Sequence, residues 1–261
     1  MSRRHMAALV ALGLVLALPS AVLASHSWGN YHWARQVTEF NLKTGDNVTS
    51  TWDAYLDDAI VDWSESNVLN LIEVAGSAKG RNCRPPAGRV EVCNNTYGNN
   101  GWLGIAQIWV QGSHITQGSV RNNDTYFNQA QYNSPAWREF VMCQEIGHTL
   151  GLGHTDEDFE NANDGSCMDY TNDPDGGAGG GSSSDPANTD PNAHDYAQLS
   201  SIYQHLDSTT TVGAATPNGS AAWHSEFGRE VARSTGAAAS ASLFVRDFGA
   251  GLRVISLVIW A

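Results

Sequence analysis

The stretch "CQEIGHTLGLGH", residues 143–154, constrains this chain more than any other. It sets Gln144, Glu145, His148, Gly151, Gly153 and His154 at fixed offsets inside an otherwise apolar run. Residues four apart on a helix lie almost above one another, so Gln144 and His148 point the same way and are spaced to hold one metal ion between them. Glu145 projects to the side, where it can act on a water at that metal rather than ligate it. Gly151 and Gly153 let the chain leave the helix sharply, in backbone conformations other residues resist, and bring His154 round as a third ligand. Three protein ligands leave zinc a fourth position for water, which is the catalytic arrangement. A lone His on a helix is most often structural, but two His, one Glu and two Gly at these offsets, followed by Met168 in "SCMDY", point to a metal site.

The surrounding sequence supplies the helix this geometry needs. Ser134 suits an N-cap and Pro135 the first helical position, with apolar residues following until Gly151 can end the helix. Upstream, "NYHWARQVTEF" (residues 30–40) predicts an opening strand. Next, Trp52, Tyr55, Leu56, Ala59, Ile60 and Trp63 fall on one helical face, with Asp53, Asp57, Asp58 and Asp62 as its solvated side. "NVLNLIEVAG" (67–76) reads as a buried strand, and "RVEVC" (89–93) as a short strand inside a cysteine loop. "GWLGIAQIWV" and "SHITQGSVRNND" read as two successive strands joined at "QGS". This order predicts a sheet backed by helices.

Beyond the motif, residues 155–195 carry 11 acids and no Lys or Arg, with "GGAGGGSSS" in the middle, and read as a long surface excursion. "DPNAHDYAQLSSIYQHLD" predicts a capped helix. "SLFVRDFGAGLRVISLVIWA" predicts a hairpin turned at "FGAG", either an added strand pair on the main sheet or a separate module.

Residues 1–24 combine Arg3 and Arg4, an apolar run and small residues near Ala24, the pattern of a cleaved secretory signal. Without them the formal charge moves from −13 to −15, because two arginines and no acids are lost. Such a chain is repelled by nucleic acid and anionic membranes, so neither is expected as a partner. Four cysteines in an exported chain imply disulfides, and proximity favours Cys83 with Cys93 and Cys143 with Cys167. Asp156, Glu157, Asp158, Asp164, Asp173 and Asp175 offer oxygen ligands for calcium, though without EF-hand spacing.

"QEIGHTLGLGH" followed by "SCMDY" resembles the metzincin clan of zinc metallopeptidases, which includes astacins, serralysins, matrixins and reprolysins. The resemblance covers roughly residues 30–207, and the upstream order is similar to a matrixin catalytic domain. It implies an α+β fold, a twisted mixed sheet backed by helices, with the active-site helix followed by an irregular C-terminal subdomain holding one helix. The chain then divides into a signal peptide (1–24), a metzincin-like domain (25–207) and a tail with a β-hairpin (208–261). By the same resemblance His148 and His154 are zinc ligands, Glu145 is general base and acid, and Met168 is the turn residue under the metal. Tyr170 falls where astacins and serralysins place a tyrosine that reaches the zinc, and residues near 104–110 become the upper rim of the cleft.

Gln144 departs from that pattern, standing where the first ligand is a histidine. Its amide oxygen reaches about as far as the distal imidazole nitrogen, but it is a poorer donor to zinc. Two readings follow. One is a secreted, monomeric zinc endopeptidase with a Gln144, His148, His154 set, cleaving peptides or proteins through a metal-bound water activated by Glu145. The other is a metzincin-fold pseudoenzyme that binds peptides or glycans without catalysis.

Overall fold

The computed structural model describes residues 26–78, 80–177, 185–214, 227–233 and 241–261. The signal-like N-terminus and most of the "GGAGGGSSS" run lie outside the described residues. Among the described residues no helix is long and apolar enough to cross a membrane.

The fold is α+β, built on one mixed sheet. The strands are β1 (His32–Trp33), β2 (Phe40–Asn47), β3 (Leu69–Ala75), β4 (Arg89–Asn95), β5 (Trp102–Gln111), β6 (His114–Asn123), β7 (Arg229–Arg233), β8 (Ala241–Gly249) and β9 (Leu252–Trp260). Their order is β3-β2-β4-β6-β5-β9-β8-β7, with β1 paired to the start of β6. Strands β3, β2, β4 and β6 run parallel, and from β5 onward each strand is antiparallel to its neighbour. Helices α1 (Asp53–Trp63) and α3 (Pro135–Thr149) pack on each other and on one face of the sheet. The short α2 (Asp124–Phe127) follows β6, and α4 (Ala193–Ile202) follows the acidic region.

Four strands differ from their sequence reading. The expected strand over residues 30–40 is cut to β1, because the Arg35 guanidinium donates to the carbonyls of Val37 and Thr38, which a ladder would otherwise use, and to that of Tyr203 after α4. Strand β2 was hidden behind it, yet it alternates cleanly: Phe40, Leu42 and Thr44 are buried while Asn41 and Lys43 face solvent. Strand β3 is an edge, with Leu69 and Leu71 buried and Ile72 exposed, rather than a fully buried strand. Conversely β4 is no minor strand of a loop; it runs to Asn95 between β2 and β6.

Two glycines and one disulfide seat the motif helix. A Cβ at Gly147 would lie 2.6 Å from both Met168 Sδ and the Trp63 ring, so α3 can approach these groups only because this position is bare. At Gly118 on β6 a Cβ would meet Thr149 at 3.3 Å, so here too the bare position lets the end of α3 sit close to the sheet. The Trp63 indole N–H donates to the Cys143 carbonyl at 3.0 Å, and Cys143 is bonded to Cys167, which fastens α3 to the "SCMDY" turn. Cys83 is bonded to Cys93.

The acidic region is more folded than a surface excursion. Asn163, Ser166, Met168, Asp169, Tyr170 and Asn188 are buried in it. Side chains replace regular secondary structure there: the Asn163 amide donates to the carbonyls of Asp173 and Pro186, and the Asn188 amide to Asp169, each at 2.9 Å. Asn192 and Asp195 form a reciprocal capping box at the start of α4.

The C-terminal hairpin turns at residues 249–251 and extends the main sheet. Strand β9 pairs with β5 from Trp102 opposite Trp260 to Gln111 opposite Leu252. The expected cleft rim at residues 104–110 is therefore a paired strand, not an open edge. Nine consecutive residues of β5 are buried, and an edge that apolar would template aggregation if left bare.

Candidate metal centre

The end of α3 carries Gln144, Glu145 and His148 into the core, and the following turn brings His154 against His148. Gly151 has φ +100°, and a Cβ on it would stand 2.5 Å from the Tyr31 carbonyl oxygen, so glycine is required on both counts. The Leu152 carbonyl then accepts from His148 Nδ1 at 2.9 Å. That bond fixes the tautomer and leaves Nε2 as the free, lone-pair nitrogen. The Trp28 ring stacks on His148 at 5.1 Å with a 6° interplanar angle, which locks the imidazole from the other side. His154 stands at 88° to His148 with ring centroids 4.6 Å apart, and its other face lies 4.1 Å from the Tyr170 ring.

Gln144 is held by the turn. Its Nε2 donates to the Cys167 carbonyl at 2.7 Å and lies 3.4 Å from that of Asp169. Carbonyls only accept, so the amide nitrogen must face them and Oε1 is turned away as a free acceptor. The sequence placed a poor ligand here; the fold orients its oxygen. Glu145 points toward β5, where Gly104 makes room: a Cβ at Gly104 would lie 2.4 Å from Glu145 Oε1. Met168 sits beneath α3 with its sulfur against Gly147 and contributes packing.

Burial controls the electrostatics. It pushes the Glu145 carboxyl well above the usual carboxylate range, against the opposing pull of the Ala106 backbone N–H and the Arg121 charge. His148 is held well below the usual imidazole value by burial and by His154, and His154 is lowered by burial against the pull of Glu157, 3.5 Å from its Nδ1. Both imidazoles are thus kept in the neutral form that ligates metals. Burial also pushes the Tyr170 phenol well up.

Gln144 Oε1, both Glu145 oxygens, His148 Nε2, His154 Nε2 and the Tyr170 hydroxyl are all buried without a hydrogen-bond partner of regular geometry. These are six orphaned polar atoms on five residues, and every one belongs to the sequence motif or its trailing turn. Two neutral imidazoles and an oriented amide oxygen suit a borderline cation such as zinc. Gln144, Glu145, His148 and Tyr170 are nearly inaccessible, because β5 lies over them and the N-terminal segment packs at their side. The hairpin closes the remaining approach, forming a small cavity between His154 and Glu157 on one wall and Arg233, Ser242 and Leu257 on the other.

The calcium expectation finds no matching cluster. Among the described residues Asp156, Glu157, Asp158, Asp164, Asp173 and Asp175 form no metal-holding group, and Asp156, Asp158 and Asp164 instead accept bonds from nearby backbone N–H groups. Two other groups do converge, His26 with His194 and Asp195, and His32 with His114 and Asp207. Sequence reasoning missed both, as it missed Trp28 and Gly104; none of these has a local spacing that marks it.

No protein-family model matches the chain, and no curated protein matches it. Among solved structures it is similar to high choriolytic enzyme 1, a hatching enzyme zinc-protease from the medaka fish Oryzias latipes. The overlap has a TM-score of 0.37 and 13% identity, over 68% of this chain and 96% of that one. At that TM-score the likeness carries no structural argument, and the functional reading rests on the geometry above.

Proposed function

We propose that this protein is a secreted zinc-dependent endopeptidase whose metal is held by Gln144 Oε1, His148 Nε2 and His154 Nε2. The observation that carries the reading is the concentration on the motif and its trailing turn of six of the 19 buried polar atoms without a hydrogen-bond partner among the described residues. Each such atom costs about 1–3 kcal/mol if left unmet, and one cation meets three of them at once. When bound, zinc supplies Lewis acidity and makes a water a nucleophile near neutral pH.

The protein's own groups do the rest. Glu145, kept from ligation by its offset on α3 and given room by Gly104, takes and returns the proton. Burial raises its affinity for a proton, against the pull of the Arg121 charge. The Tyr170 hydroxyl, beside His154, supplies a hydrogen-bond donor to a developing oxyanion. A peptide would pair as an extended strand with the outer edge of β5, next to Glu145. Strand β9 now holds that edge, so turnover requires the hairpin to give way.

The full chain, assayed for bound zinc and for cleavage of unfolded casein, tests this. Chelator-sensitive cleavage that Glu145→Ala abolishes while zinc stays bound supports an endopeptidase. Zinc bound at the motif with no cleavage, even after the hairpin is loosened, supports the non-catalytic peptide-binding reading instead.

A further inference from the structure

We propose that His32, His114 and Asp207 form a second metal site, a three-ligand zinc site that clamps the N-terminal strand and the segment after α4 to the sheet. It stands on residues outside the motif and does not depend on the peptidase reading.

The topology assembles the site. Parallel pairing of β1 with β6 sets His32 directly beside His114, with ring centroids 5.0 Å apart. After α4 the chain returns to β1, where Asp207 N–H donates to the Arg35 carbonyl at 2.8 Å and Arg35 N–H donates to Asp207 Oδ2 at 2.9 Å. This reciprocal pair leaves Oδ1 free and aims it at the histidines. Oδ1 lies 3.4 Å from His32 Nε2, 3.2 Å from His114 Nε2 and 3.6 Å from His205 Nε2. His205 Nε2 and His32 Nε2 are 3.3 Å apart. Ligands at about 2.0–2.1 Å from a tetrahedral zinc are separated by roughly 3.3–3.4 Å, so the separations of His32 and His114 from Asp207 Oδ1 have the size of tetrahedron edges.

His32 Nδ1 donates to the Asn30 carbonyl at 2.8 Å, which turns Nε2 toward the Asp207 carboxylate and His205. A cation between His32 Nε2, His114 Nε2 and Asp207 Oδ1 would be ligated by groups that otherwise share protons. The bond to Asn30 is also the kind of outer contact that orients a ligating imidazole. The side chains of His32 and Asp207 are 7% and 9% exposed, while His205 is half exposed, which gives the ion a route in.

The ligands come from β1, the start of β6 and the segment after α4, so the role is to hold these three parts together. The Tyr203 ring lies edge-on to His32, and its hydroxyl donates to the Leu150 carbonyl at the end of the motif helix.

The test uses the full chain, stripped with chelator and titrated with cobalt(II), whose visible bands report four-coordination. His148→Ala silences the motif centre, and this variant is expected to bind one equivalent with four-coordinate bands. His148→Ala with His114→Ala is expected to bind none. Zinc should raise the Tm of the first variant and leave the second unchanged. In the otherwise unaltered chain His114→Ala, at a side chain 34% exposed, should lower bound metal by one equivalent. A His148→Ala chain that folds and binds no cobalt, or an undiminished stoichiometry in His114→Ala, would overturn the proposal.

Discussion

His148 and His154 present their rings at 88° with centroids 4.6 Å apart, and the Nε2 of each is buried without a partner. Helix α3 sets the first ring and the Gly151 turn sets the second, so the pair is defined by backbone rather than by solvent. Gln144 joins them through the turn carbonyl of Cys167, which holds its nitrogen and frees its oxygen.

Substitution at Gln144 distinguishes a ligand from a brace. Gln144→His replaces a weak oxygen donor by an imidazole and is expected to tighten zinc by about tenfold or more. Gln144→Leu removes both the donor and the bond to Cys167, and should weaken zinc and lower Tm together. Competition with a chromogenic chelator reads the first and thermal unfolding the second. Unchanged affinity in Gln144→His places this side chain outside the metal's shell.

Gly104→Ala probes the pocket of Glu145, the proposed general base. The new methyl would intrude to 2.4 Å from Glu145 Oε1, and the carboxyl must swing away. Cleavage should fall by an order of magnitude or more with zinc content unchanged, since misplacement of a reacting group by about 1 Å costs on the order of 100-fold. Normal kcat in this variant would remove Glu145 from the role assigned to it.

Asp169 gives stability a readable pH dependence. Burial raises its carboxyl from 3.8 to about 7, against the Asn188 hydrogen bond. The folded chain therefore holds a proton that the unfolded chain releases near 3.8, so this group's contribution is full below that value and is lost as pH rises toward 7. The slope is at most about 1.4 kcal/mol per pH unit. Buried His26, lowered to about 4, pulls the other way between 4 and 6.5, so the readout is the difference between wild type and Asp169→Asn. Urea midpoints should favour Asp169→Asn increasingly from pH 4.5 to pH 8; a constant difference would refute the assignment.

Leu257 ties the hairpin to the covered edge. It is buried opposite Ala106 and lines the cavity beside His154. Leu257→Asp buries a charge there and should loosen β9, speeding amide exchange along β5 and raising peptide cleavage. Faster exchange with no gain in cleavage would show that the hairpin is not what limits access.

Much of the motif centre was legible because its determinants are local. Gln144, Glu145 and His148 share one helix, Gly151 marks its end, and the Met168 turn follows in the same stretch. The capped helices and the turn of the last hairpin were equally readable from neighbouring residues. Partnerships between distant strands were not, because alternation shows which face is buried but not which strand lies alongside. Hence the hairpin could be read as an added strand pair on the main sheet, but its pairing with β5 could not. The same reason hid the second histidine group, since His32 and His114 become neighbours only through the β1–β6 register and meet Asp207 from the far end of the domain. Strand β2 escaped for a different reason: the aromatic run before it looked more strand-like, and only the Arg35 carbonyl bonds explain why that run is irregular.

Anomalous diffraction at the zinc absorption edge, on crystals of the full chain grown with zinc, tests the motif centre most directly. A peak within ligation distance of Gln144 Oε1, His148 Nε2 and His154 Nε2, lost in His148→Ala, is the expected result. Density at this wavelength elsewhere in the molecule, with none among those three atoms, would contradict it.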